Sequence, residues 1–272
     1  MSTIFRWWPD DLRAPLESCD RDDATGLVAR HFPPGCSVLE CGCGLGRFVR
    51  YLVDRGHPTV GIEFAGDTLR DLHAAWPDLA VLQGDAARTP FAADHFDAVL
   101  SLGLVEHWPE GPRPALREHL RVLKPGGVAL LTVPLHNAVR RAKRRLWFDE
   151  LAGLPRALTK RILRGQSLRP NRLRAHPYAV FPAYGDFYEH RLTPREFRDA
   201  VRDAGFEIVL HQPIAHLDGV YHQLNPMHVL VGFQQWRFHP TPVAAWLNER
   251  LSAMPSFPAH MQAIVARKPD VA

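Results

Sequence analysis

The chain of 272 residues is 46% hydrophobic and 23% charged, with a net charge of +4; this balance excludes global disorder and suits one or two domains with a full core. No run of about 18 consecutive apolar residues occurs, so no membrane-spanning helix is expected. Four cysteines in a chain of this size, three of them crowded at Cys36, Cys41 and Cys43, do not make a disulfide framework. Since the opening residues also lack an apolar signal core, the expected compartment is the reducing cytosol.

In chain order, residues 1–34 read as a polar helical cap whose amphipathic run Ala24 to His31 ends at Pro33-Pro34-Gly35. Strands are expected at Ser37 to Glu40, Thr59 to Glu63, Leu79 to Leu82, Phe96 to Leu102 and Gly127 to Val133, the last behind the turn Lys124-Pro125-Gly126. Between them stand helical runs at Arg47 to Asp54, 67–76 and Pro114 to Leu123. Such alternation implies a parallel α/β sheet with right-handed crossovers. After Pro134 it breaks, and a basic helical insertion is expected over 135–189. Thr193-Pro194-Arg195-Glu196 then reads as an N-cap, a proline at the first helical position and a capping-box acid. A strand at Phe206 to Leu210, a second insertion over 211–259 with a helix at Pro242 to Leu251, and a final strand at Gln262 to Arg267 complete the chain. The expected core is therefore 35–134 and 190–272, with two lid-like insertions.

The first strand runs into Glu40-Cys41-Gly42-Cys43-Gly44-Leu45-Gly46. Glycines there let a tight turn pass beside a ligand, with backbone N–H groups and the next helix's N-terminus facing the gap. The spacing G-x-G-x-G is not the G-x-G-x-x-G of a dinucleotide fingerprint. Glu63 closes the second strand, placed to accept from a ribose diol. Asp85 follows the third, placed to accept from an exocyclic amine. All three features fall at carboxyl ends of strands, the rim at which open α/β sheets bind ligands.

These stretches, VLECGCGLGRF (38–48), VGIEF (60–64), LQGDAARTPFAADHFDAVLSLGLVEHW (82–108), LREHLRVLKPGGVALLTVP (116–134) and LTPREFRDAVRDAGFEIV (192–209), resemble the class I S-adenosylmethionine-dependent methyltransferases. The likeness is to the small-molecule group typified by the ubiquinone and menaquinone pathway enzymes. It implies a Rossmann-like seven-stranded sheet with the last strand antiparallel, and S-adenosylmethionine as cofactor. It further implies that Gly42 and Gly44 back the methionine part and that Glu40 anchors the loop or the amino group. By the same likeness Glu63 holds the ribose with Phe64 beside the adenine, Asp85 and Ala86 meet the adenine edge, and the backbone near Leu102 approaches the methionine head group.

Methyl transfer needs an aligned nucleophile and, where a proton leaves, a base. His107 after the fourth strand and His136 after the fifth are the candidates, since imidazole titrates near neutrality. Fifteen histidines in the chain make a structural role for either an open alternative. Some quinone-pathway relatives bind a divalent metal through E-x-x-E-H; here Gly103 replaces the first acid, and no metal is expected. Cys41 and Cys43 lack a second pair at zinc spacing. From Arg140 to Arg174 twelve basic residues face two acids, a net +10 that leaves −6 for the rest of the chain. A solvated lid face, an anionic membrane surface or an acidic substrate each suit that segment. The expected acceptor is a small molecule: a quinone or phenol, a glycan or glycolipid, or a specialised metabolite. The alternatives are a non-catalytic cofactor-binding scaffold, and methylation of RNA or protein. Nucleic acid is disfavoured because SLGLVEHW replaces the amide-binding motif expected after the fourth strand.

Overall fold

The structure is a computed structural model and describes residues 13–137, 178–180, 188–221, 231–234, 237–252 and 259–270. Most of the stretch 135–189 lies outside these, as do Trp7 and Trp8, which read equally as part of a lid or as a hydrophobic plug, and Tyr184, Asp186, His222 and His228, which read equally as pocket lining or as loop packing. Strands β1 (Val38–Cys41), β2 (Thr59–Glu63), β3 (Val81–Gln83), β4 (Phe96–Leu102) and β5 (Leu123–Pro134) alternate with α3 (Arg47–Val53), α4 (Gly66–Ala75) and α5 (Arg113–Val122). Helices α1 (Arg13–Ser18) and α2 (Asp23–His31) precede them. Beyond a hairpin of β6 (Tyr178–Val180) and β7 (Tyr188–His190) come α6 (Pro194–Asp203) and β8 (Glu207–Ile214). The one-turn α7 (His216–Gly219), the pair β9 (Val231–Gln234) and β10 (Arg237–Pro240), α8 (Pro242–Ser252) and β11 (Met261–Arg267) follow.

Seven strands form one sheet in the order β3-β2-β1-β4-β5-β11-β8. Only β11 runs antiparallel, pairing with β5 on one side and β8 on the other. The expected Rossmann-like sheet is thus present. Strand period two sorts its side chains onto two faces. Leu39, Cys41, Val99, Ala129, Leu131 and Ile264 pack against Leu116 of α5 and Phe197 of α6. Val38, Ala98, Leu100, Leu130 and Val265 pack against Leu27 of α2 and Phe48 of α3. Burial on both faces explains why these strands read as apolar runs rather than alternations.

Two strands run longer than the sequence suggested. β5 begins at Leu123, because Leu123 pairs with Phe96 across a register shift that absorbs the Lys124-Pro125-Gly126 turn. β8 continues to Ile214, because His211 to Ile214 pair with Ile264 to Met261. Tertiary pairing therefore overrode a turn signal at Lys124-Pro125-Gly126 and carried the other strand past the expected start of the second insertion at 211.

This register brings the segments that follow β5 and β8 together at β11. Pro134 and Ile214 both pair with Met261, so β5 and β8 finish at one rim. There Leu135 N–H donates to His260 O at 2.8 Å, His260 N–H to Ala215 O at 3.1 Å, and Asn137 Nδ2 to Ala259 O at 3.0 Å.

The loop behind β3 is secured from α5. Thr89 donates from both its N–H and its hydroxyl to Glu118 Oε1, at 2.7 and 2.6 Å, and Arg121 binds both oxygens of that carboxylate. Burial pushes the Glu118 carboxyl up, but the Arg121 and Thr89 bonds outweigh it and hold the group at about 2. Its folded value lies below the ordinary 4.5, so its stabilisation is present above that value and lost as pH falls toward 2. Glu118→Gln should therefore cost about 1–3 kcal/mol at pH 7, and denaturant midpoints should converge with wild type near pH 2.

Candidate functional site

The glycine turn after β1 reverses the chain without a side chain where there is no room for one. Gly42 sits at φ +68°, and a Cβ there would lie 2.7 Å from Leu104 Cδ1. Its N–H donates to Ile62 O at 2.8 Å, tying the turn to β2. Gly44, at φ +54°, is different, for a Cβ built on it meets nothing within 4 Å. The first glycine allows close packing; the second faces open space.

Glu63 at the end of β2 organises that space. Its Oε2 accepts from Gly44 N–H at 2.9 Å and its Oε1 from Ala65 N–H at 2.8 Å. Phe64 beside it is 47% exposed. Gly84 N–H donates to Glu63 O at 2.9 Å, which brings the next predicted acid to the same edge. Asp85 Oδ1 accepts from Ala87 N–H at 2.8 Å. Ala86 turns its methyl into the core, so only its backbone can reach a ligand. Leu102 ends β4 half-buried, and Gly103 after it, at φ +60°, donates to Thr132 O at 2.9 Å.

Glu40 lies beneath the turn, buried, with its Oε2 lacking a hydrogen-bond partner. Burial drives its carboxyl up to about 8, against the pull of the Arg47 guanidinium and the Val49 N–H. Sequence reasoning passed over Arg47, the first residue of α3. It donates to Asp22 Oδ2 at 2.8 Å and to Ser18 Oγ at 3.2 Å, and so holds the N-terminal helices against the turn. The only signal in the sequence was an arginine directly after the last glycine.

The two candidate bases stand at the same rim on different supports. His107 ends a short 3-10 turn (Val105–His107) behind β4; its side chain is 23% exposed, with Nε2 at 3.7 Å from Glu106 Oε1. His136 is buried behind β5, and its N–H donates to Leu192 O at 3.4 Å. It also helps to hold the Glu196 carboxyl of the α6 capping box below its usual range, after the Thr193 bonds and against burial. Cys41 and Cys43 are buried thiols pushed well above their ordinary range by desolvation. Cys41 packs in the cluster beneath α5 and Cys43 in the separate cluster of Val49, Leu72 and Leu79. No group of three metal-ligating side chains occurs among the described residues.

Residues 39–131 match the methyltransferase domain family. A 2-methyl-6-phytyl-1,4-hydroquinone methyltransferase of Oryza sativa subsp. japonica is 31% identical over 134 residues, covering 47% of this chain and 37% of the relative. A demethylmenaquinone methyltransferase of Renibacterium salmoninarum is 39% identical over 106 residues, covering 39% of this chain and 42% of the relative. The chain thus spans about two fifths of the length of these two relatives. The Burkholderia thailandensis 1,6-didemethyltoxoflavin-N1-methyltransferase, solved with 1,6-didemethyltoxoflavin and S-adenosylhomocysteine bound, superposes with a TM-score of 0.55. It covers 96% of this chain and 82% of that one at 15% identity, a likeness of fold alone. The glycine turn and the second-strand acid that clamps it therefore both fall within residues 39–131, the stretch that is similar to the methyltransferase domain family, on a sheet whose one antiparallel strand comes from Met261–Arg267.

Proposed function

We propose that this chain transfers a methyl group from S-adenosylmethionine to a small molecule, with a quinol or other phenol as the first acceptor class to test. The observation that carries the reading is Glu63 clamping Gly44 beside open space at the strand rim. The residues present fit the cofactor. Gly42 and Gly44 leave backbone against the methionine part, and the unpartnered Glu40 Oε2 suits its ammonium. Glu63 retains lone pairs for the ribose hydroxyls after accepting two N–H bonds. Phe64 offers an exposed ring to the adenine, and Asp85 with the Ala86 backbone its edge. The backbone at Leu102 completes the methionine side. When bound, the sulfonium supplies an activated methyl.

What the protein adds is alignment, which supplies about 7–11 kcal/mol of the barrier in well-oriented systems. A base adds about 10²–10⁴-fold when the acceptor proton must leave. We assign that role first to His107, whose ring is partly exposed at the rim, and second to the more buried His136. The segments after β5 and after β8 are read as caps over the acceptor. The +10 stretch in the first of them suits an acidic substrate or an anionic membrane surface reached from the cytoplasm. The two named relatives act on demethylmenaquinone and on 2-methyl-6-phytyl-1,4-hydroquinone, which supports a quinol acceptor.

The assay is formation of S-adenosylhomocysteine with 2-methyl-6-phytyl-1,4-hydroquinone, demethylmenaquinol, RNA or protein as acceptor. Turnover on a quinol supports the reading; turnover only on a macromolecule, or tight cofactor binding with no turnover, overturns it. Asp85→Ala and Glu63→Ala should each weaken S-adenosylhomocysteine binding by about 10- to 150-fold in calorimetry, the loss expected for a charged hydrogen bond. Circular dichroism should show the Asp85→Ala fold retained.

Glu40 has an opposite effect on stability. Its folded value near 8 exceeds the ordinary 4.5, so it burdens the fold increasingly as pH rises through that window, and fully above 8. Glu40→Gln should raise stability by about 1–3 kcal/mol at pH 8. Near pH 4 its denaturant midpoint should match wild type, while S-adenosylhomocysteine affinity falls.

A further inference from the structure

Resting on the reading that His107 takes the acceptor proton, we propose that Glu106 is the positioning residue of that histidine: its Oε1 accepts the His107 Nε2–H, and Nδ1 becomes the basic nitrogen. The two side chains are neighbours in the 3-10 turn behind β4, with Nε2 and Oε1 3.7 Å apart. Catalytic hydrogen bonds are often long before substrate binds and tighten in the complex. Their exposure is graded the way an orienting pair requires. The Glu106 side chain is 1% exposed and that of His107 23%, so the carboxyl is enclosed while the ring reaches the rim.

The turn is also fixed from several sides. Leu104 packs against Gly42 of the glycine turn, and Gly103 is bonded to β5 through Thr132. Strand β7 lies over the turn, with His190 Nε2 at 3.3 Å from Pro109 O. Within this enclosure Glu106 Oε2 has no hydrogen-bond partner. A buried polar atom without a partner costs stability, and an apolar side chain of similar volume would pack there more cheaply. Folding alone does not call for a carboxyl at this position.

The protonation state suits the role. Burial pushes the Glu106 carboxyl well above its ordinary range, and Glu189 of β7, the charged group facing it from the hairpin, pushes it the same way. A neutral carboxyl still accepts an N–H through its carbonyl oxygen. The enclosure therefore leaves the orienting bond available without requiring an ionised carboxylate.

The test compares wild type, Glu106→Gln and Glu106→Leu, each loaded with S-adenosylhomocysteine. Imidazole ¹⁵N NMR should show the Nε2–H tautomer at His107 in wild type and Glu106→Gln, and a mixture in Glu106→Leu. With the hydroquinone acceptor, kcat of Glu106→Leu should fall about 10- to 100-fold, as for other orienting partners. Acceptor KM and S-adenosylhomocysteine affinity should hold, and Glu106→Gln should recover most of the rate. Glu106→Met serves as the apolar variant if leucine does not fold. A wild-type Nδ1–H tautomer, full turnover in the apolar variant, or equal loss of cofactor affinity in both variants overturns the assignment. A wild type inactive on every quinol overturns the methyl-transfer reading instead, while the tautomer still decides the role of Glu106.

Discussion

Two backbone N–H groups, from Gly44 and Ala65, converge on the single carboxylate of Glu63. This arrangement is the constraint on which the site depends. The turn after β1 and the turn after β2 belong to separate strand–helix units, and each unit alone would leave its turn free to drift. The carboxylate joins them with charge-assisted bonds, roughly twice as strong as neutral ones. Its geometry in turn requires a left-handed backbone at Gly44 and close packing at Gly42, which side chains at those positions would oppose. Open space beside Gly44 follows from the same conformation that makes the clamp possible.

Three buried acids show how differently the fold treats a carboxyl. Glu118 is surrounded by donors from Thr89 and Arg121, stays ionised and holds the loop behind Asp85. Glu40 and Glu106 each keep one oxygen without a partner and are driven toward the neutral form by desolvation. The satisfied acid stands on α5, away from the rim; the two unsatisfied ones stand beneath the glycine turn and behind β4. Proteins concentrate unsatisfied polar groups where binding or chemistry requires them, and bear the stability cost there.

The rim is also where the irregular parts of the chain are anchored. Bonds among Leu135, Asn137, Ala215, Ala259 and His260 join the segments that leave β5 and β8 to the one that enters β11. Ala215 takes a left-handed conformation within it, and its N–H donates to Asp23 Oδ2 of α2 at 2.7 Å. Segments distant in sequence are thereby tied to the strand ends that form the site.

The fold class was legible in the sequence by itself, because a parallel sheet buried on both faces writes apolar runs separated by helical periods. The glycine turn and the acids at Glu63 and Asp85 were legible for a similar reason: positive φ and strand-end carboxylates leave marks in local sequence. Strand extent was not, since the pairing of Leu123 with Phe96 outweighed a turn signal and that of His211 to Ile214 with β11 passed the expected start of the second insertion. Nor was the inward turn of the Ala86 methyl, the hold of Arg47 on the N-terminal helices, or the contrast between Glu118 and Glu40. Those depend on desolvation and on partners tens of residues away, quantities that exist only once the chain has folded.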